Sequence, residues 1–279
     1  MKRFLALMLS IIAVFTACFS LTGCSKPLTG FDIELARKVV AYLNEEENVN
    51  IKIDFTEIDW NSKETLLEEG TIDLVWNGMT ITPARSQQMT ISVPYLYNKQ
   101  VAVVRANDQT TYTSIQSMAN ATVGAESGSA GESVISAQGI GSEYISSPSQ
   151  LDALTALYNG SIDVAIIDSV MAGYYTSTGT YKNKLVMVDN LVLATEEYGI
   201  AAKKGNESLI SKINDALIAL STTYYVQIAE DFGLTSSTCL TANTQNPLAN
   251  ANDSSWADVV EDGVLVIGYT VFAPICYTK

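Results

Sequence analysis

The 279-residue chain contains no histidine. That excludes Ser-His-Asp and Cys-His nucleophilic catalysis and removes the commonest metal ligand. Cysteine is scarce too. Cys18, Cys24, Cys239 and Cys276 show no CxxC spacing, which argues against a zinc or iron–sulfur centre. No metal or other cofactor is expected. Positive charge is also short, with 16 Lys+Arg against 30 Asp+Glu and a formal net charge of -14. A surface of that sign repels nucleic acid and anionic lipid, so nucleic-acid binding is set aside. Beyond the N-terminal segment, no apolar run is long enough to cross a bilayer.

What is present is a hydrophobic content of 47%, enough for a sizeable core in one large domain or two lobes. Met1-Lys2-Arg3 forms a short positive start, Phe4 to Phe19 is apolar, and Leu21-Thr22-Gly23-Cys24 follows with small residues before the cysteine. This segment resembles a bacterial lipoprotein signal. The resemblance implies that residues 1–23 are removed and that Cys24 carries the lipid that holds the protein at the outer face of a cell membrane. A plain secretory leader or a short transmembrane helix is the alternative. Cys239 and Cys276 are then the only cysteines beyond the anchor. A disulfide between them and two unpaired thiols are both open.

The remaining chain alternates helix and strand patterns. Thr29 reads as the cap of a helix over 31–43, with Phe31, Leu35, Val39 and Leu43 on one face. Strands are expected at 50–55, 72–76, 101–104, 123–125 and 162–167, and helices at 62–69, 150–158 and, as one long element, 209–228. This pattern predicts an α/β fold with mostly parallel sheet. A weak internal repeat supports two similar halves: Leu67-Glu68-Glu69-Gly70-Thr71-Ile72-Asp73-Leu74 parallels Leu157-Tyr158-Asn159-Gly160-Ser161-Ile162-Asp163-Val164. In each, a helix ends, a glycine turns the chain and a buried strand follows. Gly78 and Thr80 lie after the first such strand and Asp168 ends the second, where ligands sit in open α/β sheets. Residues 235–252, rich in Ser, Thr, Asn and Ala, read as a linker before a late strand at 264–267.

Several short segments together carry a family likeness: Thr29-Gly30-Phe31-Asp32-Ile33-Glu34-Leu35-Ala36, Asp59-Trp60, Asn77-Gly78-Met79-Thr80-Ile81-Thr82, Arg85, Pro94-Tyr95, Glu126-Ser127-Gly128-Ser129-Ala130-Gly131-Glu132, Asp168 and Tyr198-Gly199-Ile200-Ala201. In that order and spacing they resemble the amino-acid-binding family of periplasmic solute-binding proteins. The resemblance implies a two-lobed, type II α/β fold joined by two hinge strands. Lobe 1 is expected at 24–105 and 199–279, and lobe 2 at 106–198. It implies a monomer, not an enzyme, that captures an amino acid between closing lobes and delivers it to the permease of an ABC importer. One departure is large. The family opens with a strand and a segment like Phe272-Ala273-Pro274 before its Gly-Phe-Asp helix, whereas here that opening lies at Trp256 to Lys279. The order reads as circularly permuted, with one copy of each element and residues 235–252 bridging the former ends. A fragment of a tandem array or a mis-joined gene would give the same order.

The resemblance also assigns the site. Arg85 is the expected carboxylate clamp, since a guanidinium binds carboxylate bidentately. The alternative is an ordinary surface arginine. The backbone N–H groups of Thr80 and of Ser129 or Ala130, which opens a helix, are expected to help. Asp168 is the expected ammonium partner, with the Gly78 carbonyl and the Thr80 hydroxyl. The alternative for Asp168 is a solvated helix cap. Trp60 and Phe272 resemble the aromatic pair around the ligand side chain, though ordinary core is an aromatic residue's usual place. Tyr269 stands where relatives selecting cationic ligands carry an acid, which argues for a neutral polar, sulfur-containing or aromatic amino acid. Glu126 is placed to replace that acid in part. Two other uses of the fold stay open from sequence: a dehydratase-like enzyme with Glu126 or Asp168 as acid or base, and a ligand-sensing module for a receptor.

Overall fold

The computed structural model describes residues 27–278, so the leader and Cys24 lie outside the described residues. In chain order the strands are β1 (Leu28–Thr29), β2 (Lys52–Glu57), β3 (Leu74–Thr80), β4 (Met89–Ile91), β5 (Leu96–Arg105), β6 (Thr122–Glu126), β7 (Glu143–Ser147), β8 (Val164–Asp168), β9 (Leu185–Lys203), β10 (Val264–Tyr269) and β11 (Tyr277–Thr278). The helices are α1 (Phe31–Glu46), α2 (Lys63–Glu68), α3 (Pro83–Gln88), α4 (Ala130–Gln138), α5 (Gln150–Asn159), α6 (Ser169–Ser177), α7 (Glu207–Leu220), α8 (Tyr224–Asp231) and α9 (Ser255–Asp262).

The main sheet runs β2-β10-β3-β9-β5-β8-β6-β7, with β4 added on β9. β2, β10 and β3 are parallel, and so are β8, β6 and β7. Between these sets lie β9 and β5, antiparallel to each other and to their neighbours. The result is a two-lobed α/β fold: two small parallel sheets joined by two long antiparallel strands. β3 and β8 are buried on both faces, which explains the continuous apolar runs Leu74-Val75-Trp76 and Val164 to Ile167. Separate apolar clusters fill the two lobes, one around Phe31, Leu74 and Leu217 and another around Val104, Val123 and Val164.

The internal repeat has a structural counterpart. Gly70 (φ 71°) and Gly160 (φ 81°) make the left-handed turns that end α2 and α5. Three residues on, Asp73 Oδ2 accepts from the Val266 N–H and Asp163 Oδ2 from the Thr122 N–H. The aspartate thus ties each new strand to its parallel neighbour.

Two expectations need correction. Thr29 does not cap α1. It lies in β1, paired with β11, and Gly30 holds the cap position without any side-chain bond. Phe31 and Asp32 instead donate their N–H groups to the carbonyls of Pro274 (2.9 Å) and Ile275 (3.0 Å). The last residues of the chain supply acceptors that the first turn of the helix lacks. The helix read over 209–228 is two helices, broken at Ser221-Thr222-Thr223, where the Thr223 N–H and hydroxyl both donate to the Leu220 carbonyl. Residues 235–252 form no strand or α-helix, but they are tied down. The Asn246 side chain reaches Ser211, Asn214 and Asp215 on α7. Cys239 and Cys276 are both free thiols, with Cys276 buried.

Candidate ligand-binding site

A cavity of about 370 Å³, counted out to its mouth, lies between the lobes. It takes one wall from the carboxyl ends of β3 and β10 and the other from β6, β8 and the starts of α4 and α5. This is where strand ends and helix starts converge in an open α/β sheet.

On the first wall, β3 bulges. Its pairing with β9 shifts register between Val75 and Met79, and Gly78 takes φ 61° within the bulge. The Gly78 N–H is turned inward, donating to Asp32 Oδ2 (2.8 Å) and to the Tyr95 hydroxyl (3.2 Å). Asp32 also accepts from that hydroxyl at 2.7 Å, while its Oδ1 has no partner. Burial pushes the Asp32 carboxyl up to about 7, against the pull of these hydrogen bonds. Asp32 therefore shapes the bulge from behind, and Gly78 faces the cavity.

Arg85 is not an idle surface residue. Thr82 caps α3 by accepting from the Arg85 N–H, and Pro83 opens the helix, so Arg85 projects toward the cleft. Its Nη1 donates to the Thr80 carbonyl (2.8 Å) and its Nη2 to the Gly128 carbonyl across the cleft (3.0 Å). Burial lowers the guanidinium's pKa, while Glu64, Glu196, Asp168 and Glu126 pull the other way. It stays charged and faces an excess of carboxylate.

On the second wall, Asp168 ends β8 and occupies the cap position of α6, yet its side chain makes no cap bond. It is 5% exposed and turned to Asn98, Gln100 and Gln150. The solvated-cap alternative is thereby overturned. Burial, and then the neighbouring Glu196 carboxylate, holds the Asp168 carboxyl well above the usual range. Glu126, 4% exposed, ends β6 at the same cavity, and burial pushes its carboxyl up to about 8 against the pull of Lys63 and a Gln150 hydrogen bond. Ser129 caps α4 by accepting from the Glu132 N–H, and its own N–H donates to the Glu126 carbonyl. That commitment leaves Ala130, the first helical residue, as the backbone donor facing the cleft.

Trp60 and Phe272 both line the cavity, buried to 6% and 4% exposure. Lys63 lies over the Trp60 ring at 4.8 Å, and Phe272 packs edge-on to Tyr198. Tyr269 does not line the cavity. It pairs in register with Glu57, and its carbonyl accepts from Ile58. The chain reaches the cleft only at Thr270 to Phe272, beyond the strand's end. The Thr80 hydroxyl is also committed, donating to Glu196 Oε2 at 2.8 Å.

Sequence reasoning missed Asn77, Gln150 and Thr270 on the cavity wall, and Asn98, Gln100 and Glu196 behind it. Asn77 and Thr270 join across β3 and β10 at 2.7 Å. A readable signal existed for one set. Asn98 and Gln100 are two apart in a strand, hence on one face, and both are buried just before an apolar run.

Comparison with known proteins agrees with this geometry. Residues 16–235 match the family model of bacterial extracellular solute-binding proteins, family 3. The amino-acid-binding protein AabA of Dichelobacter nodosus is 31% identical over 195 residues, covering 69% of this chain and 74% of its own. A probable histidine-binding protein of Neisseria gonorrhoeae is 30% identical over 190 residues, covering 67% and 68%. Among solved structures, the histidine-bound substrate-binding protein of an ABC uptake transporter from Streptococcus pneumoniae superposes with a TM-score of 0.67 at 31% identity, over 75% of this chain and 85% of that one. These relatives are binding proteins rather than enzymes, so the dehydratase alternative is dropped. The chain belongs to family 3 of the bacterial extracellular solute-binding proteins.

Proposed function

We propose that this protein captures a free amino acid between its two lobes and delivers it to the permease of an ABC importer, acting as a monomer held at the membrane by a lipid on Cys24. The observation that carries the reading is the opposition of Arg85 from the first lobe and Asp168 from the second across one cavity. A zwitterion matches both. The ligand carboxylate takes the guanidinium, together with backbone N–H groups of Thr80 and Ala130. The ligand ammonium takes Asp168 and the Gly78 carbonyl. The Thr80 hydroxyl, bound to Glu196, acts on this end indirectly. The side chain lies between Trp60 and Phe272 and points toward Glu126, Gln150, Asn77 and Thr270.

The polar character of that end favours a side chain that donates hydrogen bonds, cationic ones included. The sequence argument against a cationic ligand rested on Tyr269, which is absent from the wall. Among the described residues no helix is long and apolar enough to cross a membrane. In the proposal, attachment rests on the acyl chain alone. Residues 24–105 and 199–279 form lobe 1 and residues 106–198 lobe 2, with β5 and β9 as the hinge. A ligand that touches both lobes stabilises the closed form over the open one by its differential contacts, which is the signal a permease reads.

The order of elements is proposed to be a circular permutation. Three observations support it: β10 lies between β2 and β3, parallel to both; the first and last described strands, β1 and β11, pair; and the family match stops at residue 235. The test of function is a melting scan of the purified full-length protein against the standard amino acids and cystine. Saturation at a hundred times Kd adds about 2.7 kcal/mol to stability, or several degrees in Tm at roughly 2–4 °C per kcal/mol. A cooperative melt that no amino acid shifts would overturn the reading.

A further inference from the structure

Behind the cavity wall, two carboxylates share one set of donors. Asn98 and Gln100 lie on the same face of β5, where Asn98 pairs in register with Glu196 of β9 and Gln100 with Asp168 of β8. The Asn98 side-chain nitrogen donates both to Asp168 Oδ1 (2.6 Å) and to Glu196 Oε1. The Gln100 nitrogen also donates to both, reaching Glu196 Oε1 at 2.8 Å. Each amide has two N–H groups, and all four are spent on the same two carboxylate oxygens. The two acids are thus held face to face through two nitrogens, in a site where Asp168, Asn98 and Gln100 are all buried.

Among the described residues, no ion pair balances them: none includes Asp168, Glu196, Glu126 or Arg85. The groups around the pair are Thr80 from β3, whose hydroxyl donates to Glu196; Arg85 from α3, whose guanidinium donates to the Thr80 and Gly128 carbonyls; Gln150 from α5, which donates to Asp168; and Ser169 from α6, which donates to Asn98 Oδ1. Glu126 from β6 adds a third acid, and Tyr198 from β9 lies close with its hydroxyl buried and unpartnered. Lys63, the next cation, is spent on Glu64 and the Trp60 carbonyl. Two like charges in such a site cannot both persist without a counter-charge.

We infer that Glu196 and Asp168 act as one ammonium-binding carboxylate pair, which holds a single proton in the unliganded cleft and gives it up when the ligand's ammonium arrives. The inference rests on the amino-acid reading of the site and deepens it. The ammonium keeps its own three protons and binds Asp168 from the cavity side, where its charge replaces the proton's in neutralising the pair. The displaced proton leaves to solvent, and no other bond forms or breaks. The high pKa of Asp168 agrees with this occupancy. Glu196 is a positioning residue, acting on the ammonium through Asp168 and the two amides. Its hydroxyl contact in the other lobe, Thr80, places the pair at the hinge, so that loading the cation and bridging the lobes are one event. Affinity then rises with pH over the range in which the empty pair holds its proton, by up to about tenfold per pH unit.

The test is calorimetry of the full-length protein in detergent, using the amino acid that shifts its melting. Titrations at about neutral pH in two buffers of different ionisation enthalpy give the protons released per ligand, about one by linkage. In Glu196→Gln the release falls well below that of the native chain, and the pH dependence of Kd flattens. In Glu69→Gln, which removes an exposed acid away from the cavity, it persists. A ligand-minus-free infrared difference spectrum supplies a second readout, the loss of a protonated-carboxyl band that is weakened in Glu196→Gln. Binding without proton release in the native chain, or release kept in full in Glu196→Gln, overturns the carboxylate pair while leaving amino-acid capture intact. Absence of binding by any amino acid overturns both.

Discussion

The Arg85 guanidinium donates to the Gly128 carbonyl across the cleft at 3.0 Å, joining the first lobe to the second through a single side chain. The same side chain holds the Thr80 carbonyl at 2.8 Å. Arg85 is therefore a latch between the lobes, and in the proposed binding mode it also takes the ligand carboxylate. Arg85→Ala is expected to weaken amino-acid binding by about 3 kcal/mol, roughly a hundredfold, because a buried charge partner is removed. Arg85→Lys should fall in between, since an ammonium cannot hold two carbonyls and a carboxylate in one fixed plane. Titration calorimetry on both variants checks this. Equal affinities for Arg85→Ala and the native chain would remove Arg85 from the site.

Stability of the ligand-free protein should decline as pH rises. Asp32 (to about 7), Glu126 (to about 8) and Asp168 all have folded pKa values raised by burial. A raised carboxyl contributes its stability fully below the unfolded value, near 4, and loses it as pH climbs through the folded value. The loss from Asp32 alone is on the order of 4 kcal/mol, completed a little above neutrality. Melting curves between about pH 5 and pH 8 should therefore show a falling Tm. Asp32→Asn keeps an acceptor for Gly78 and Tyr95 and removes the ionisation, so its profile should be flatter. A Tm that rises over this range would contradict the burial account.

Gly78 cannot carry a side chain without cost. Its φ of 61° disfavours other residues, and an added Cβ would meet Phe272 Cε1 at 2.8 Å and the Tyr198 ring at 3.1 Å. Gly78→Ala is expected to lower stability by about 1–2 kcal/mol from backbone strain alone, a few degrees in Tm. It should also lower affinity, since Phe272 must yield toward the cavity. An unchanged Tm would show that the bulge relaxes freely.

The permutation reading makes a prediction about chain order. Leu28 pairs with Thr278, and the first helix leans on the Pro274 and Ile275 carbonyls. A chain that begins near Asp253, runs through Lys279 into Leu28 by a short linker and ends near Ala251, so that the Asn246 contacts to α7 are kept, should fold and bind with little loss. Its Tm is expected within about 5 °C of the native order, because both cuts and joins fall in surface segments. Failure of this chain to melt cooperatively would mean that the connection at residues 251–253 does more than bridge former ends.

The parallel strands β3 and β8 and their ends were legible because burial on both faces writes itself as unbroken runs, as at Val164 to Ile167, and because Gly70 and Gly160 mark the turns before them. The cleft residues Arg85, Asp168, Gly78 and Glu126 were legible by resemblance, and all reach one cavity. What escaped was set by register rather than by type. Tyr269 and Thr270 are neighbours, yet Tyr269 stays in the ladder with Glu57 and Thr270 meets the cavity. Glu196 sits on a 19-residue strand whose alignment with β5 shifts twice, so no local pattern points it at Asp168. The edge strand β7, largely exposed, lacks the apolar run that marked the others.

The most direct measurement compares an amino acid that binds with its N-acetyl and carboxamide forms, by calorimetry against the full-length protein. If Arg85 and Asp168 divide the two ends of a zwitterion between the lobes, blocking either end should cost at least about a hundredfold in affinity, by leaving one buried charge unpaired. Blocked forms that bind as tightly as the free amino acid would contradict the account, because the ligand would then be held by its side chain and not by the clamp.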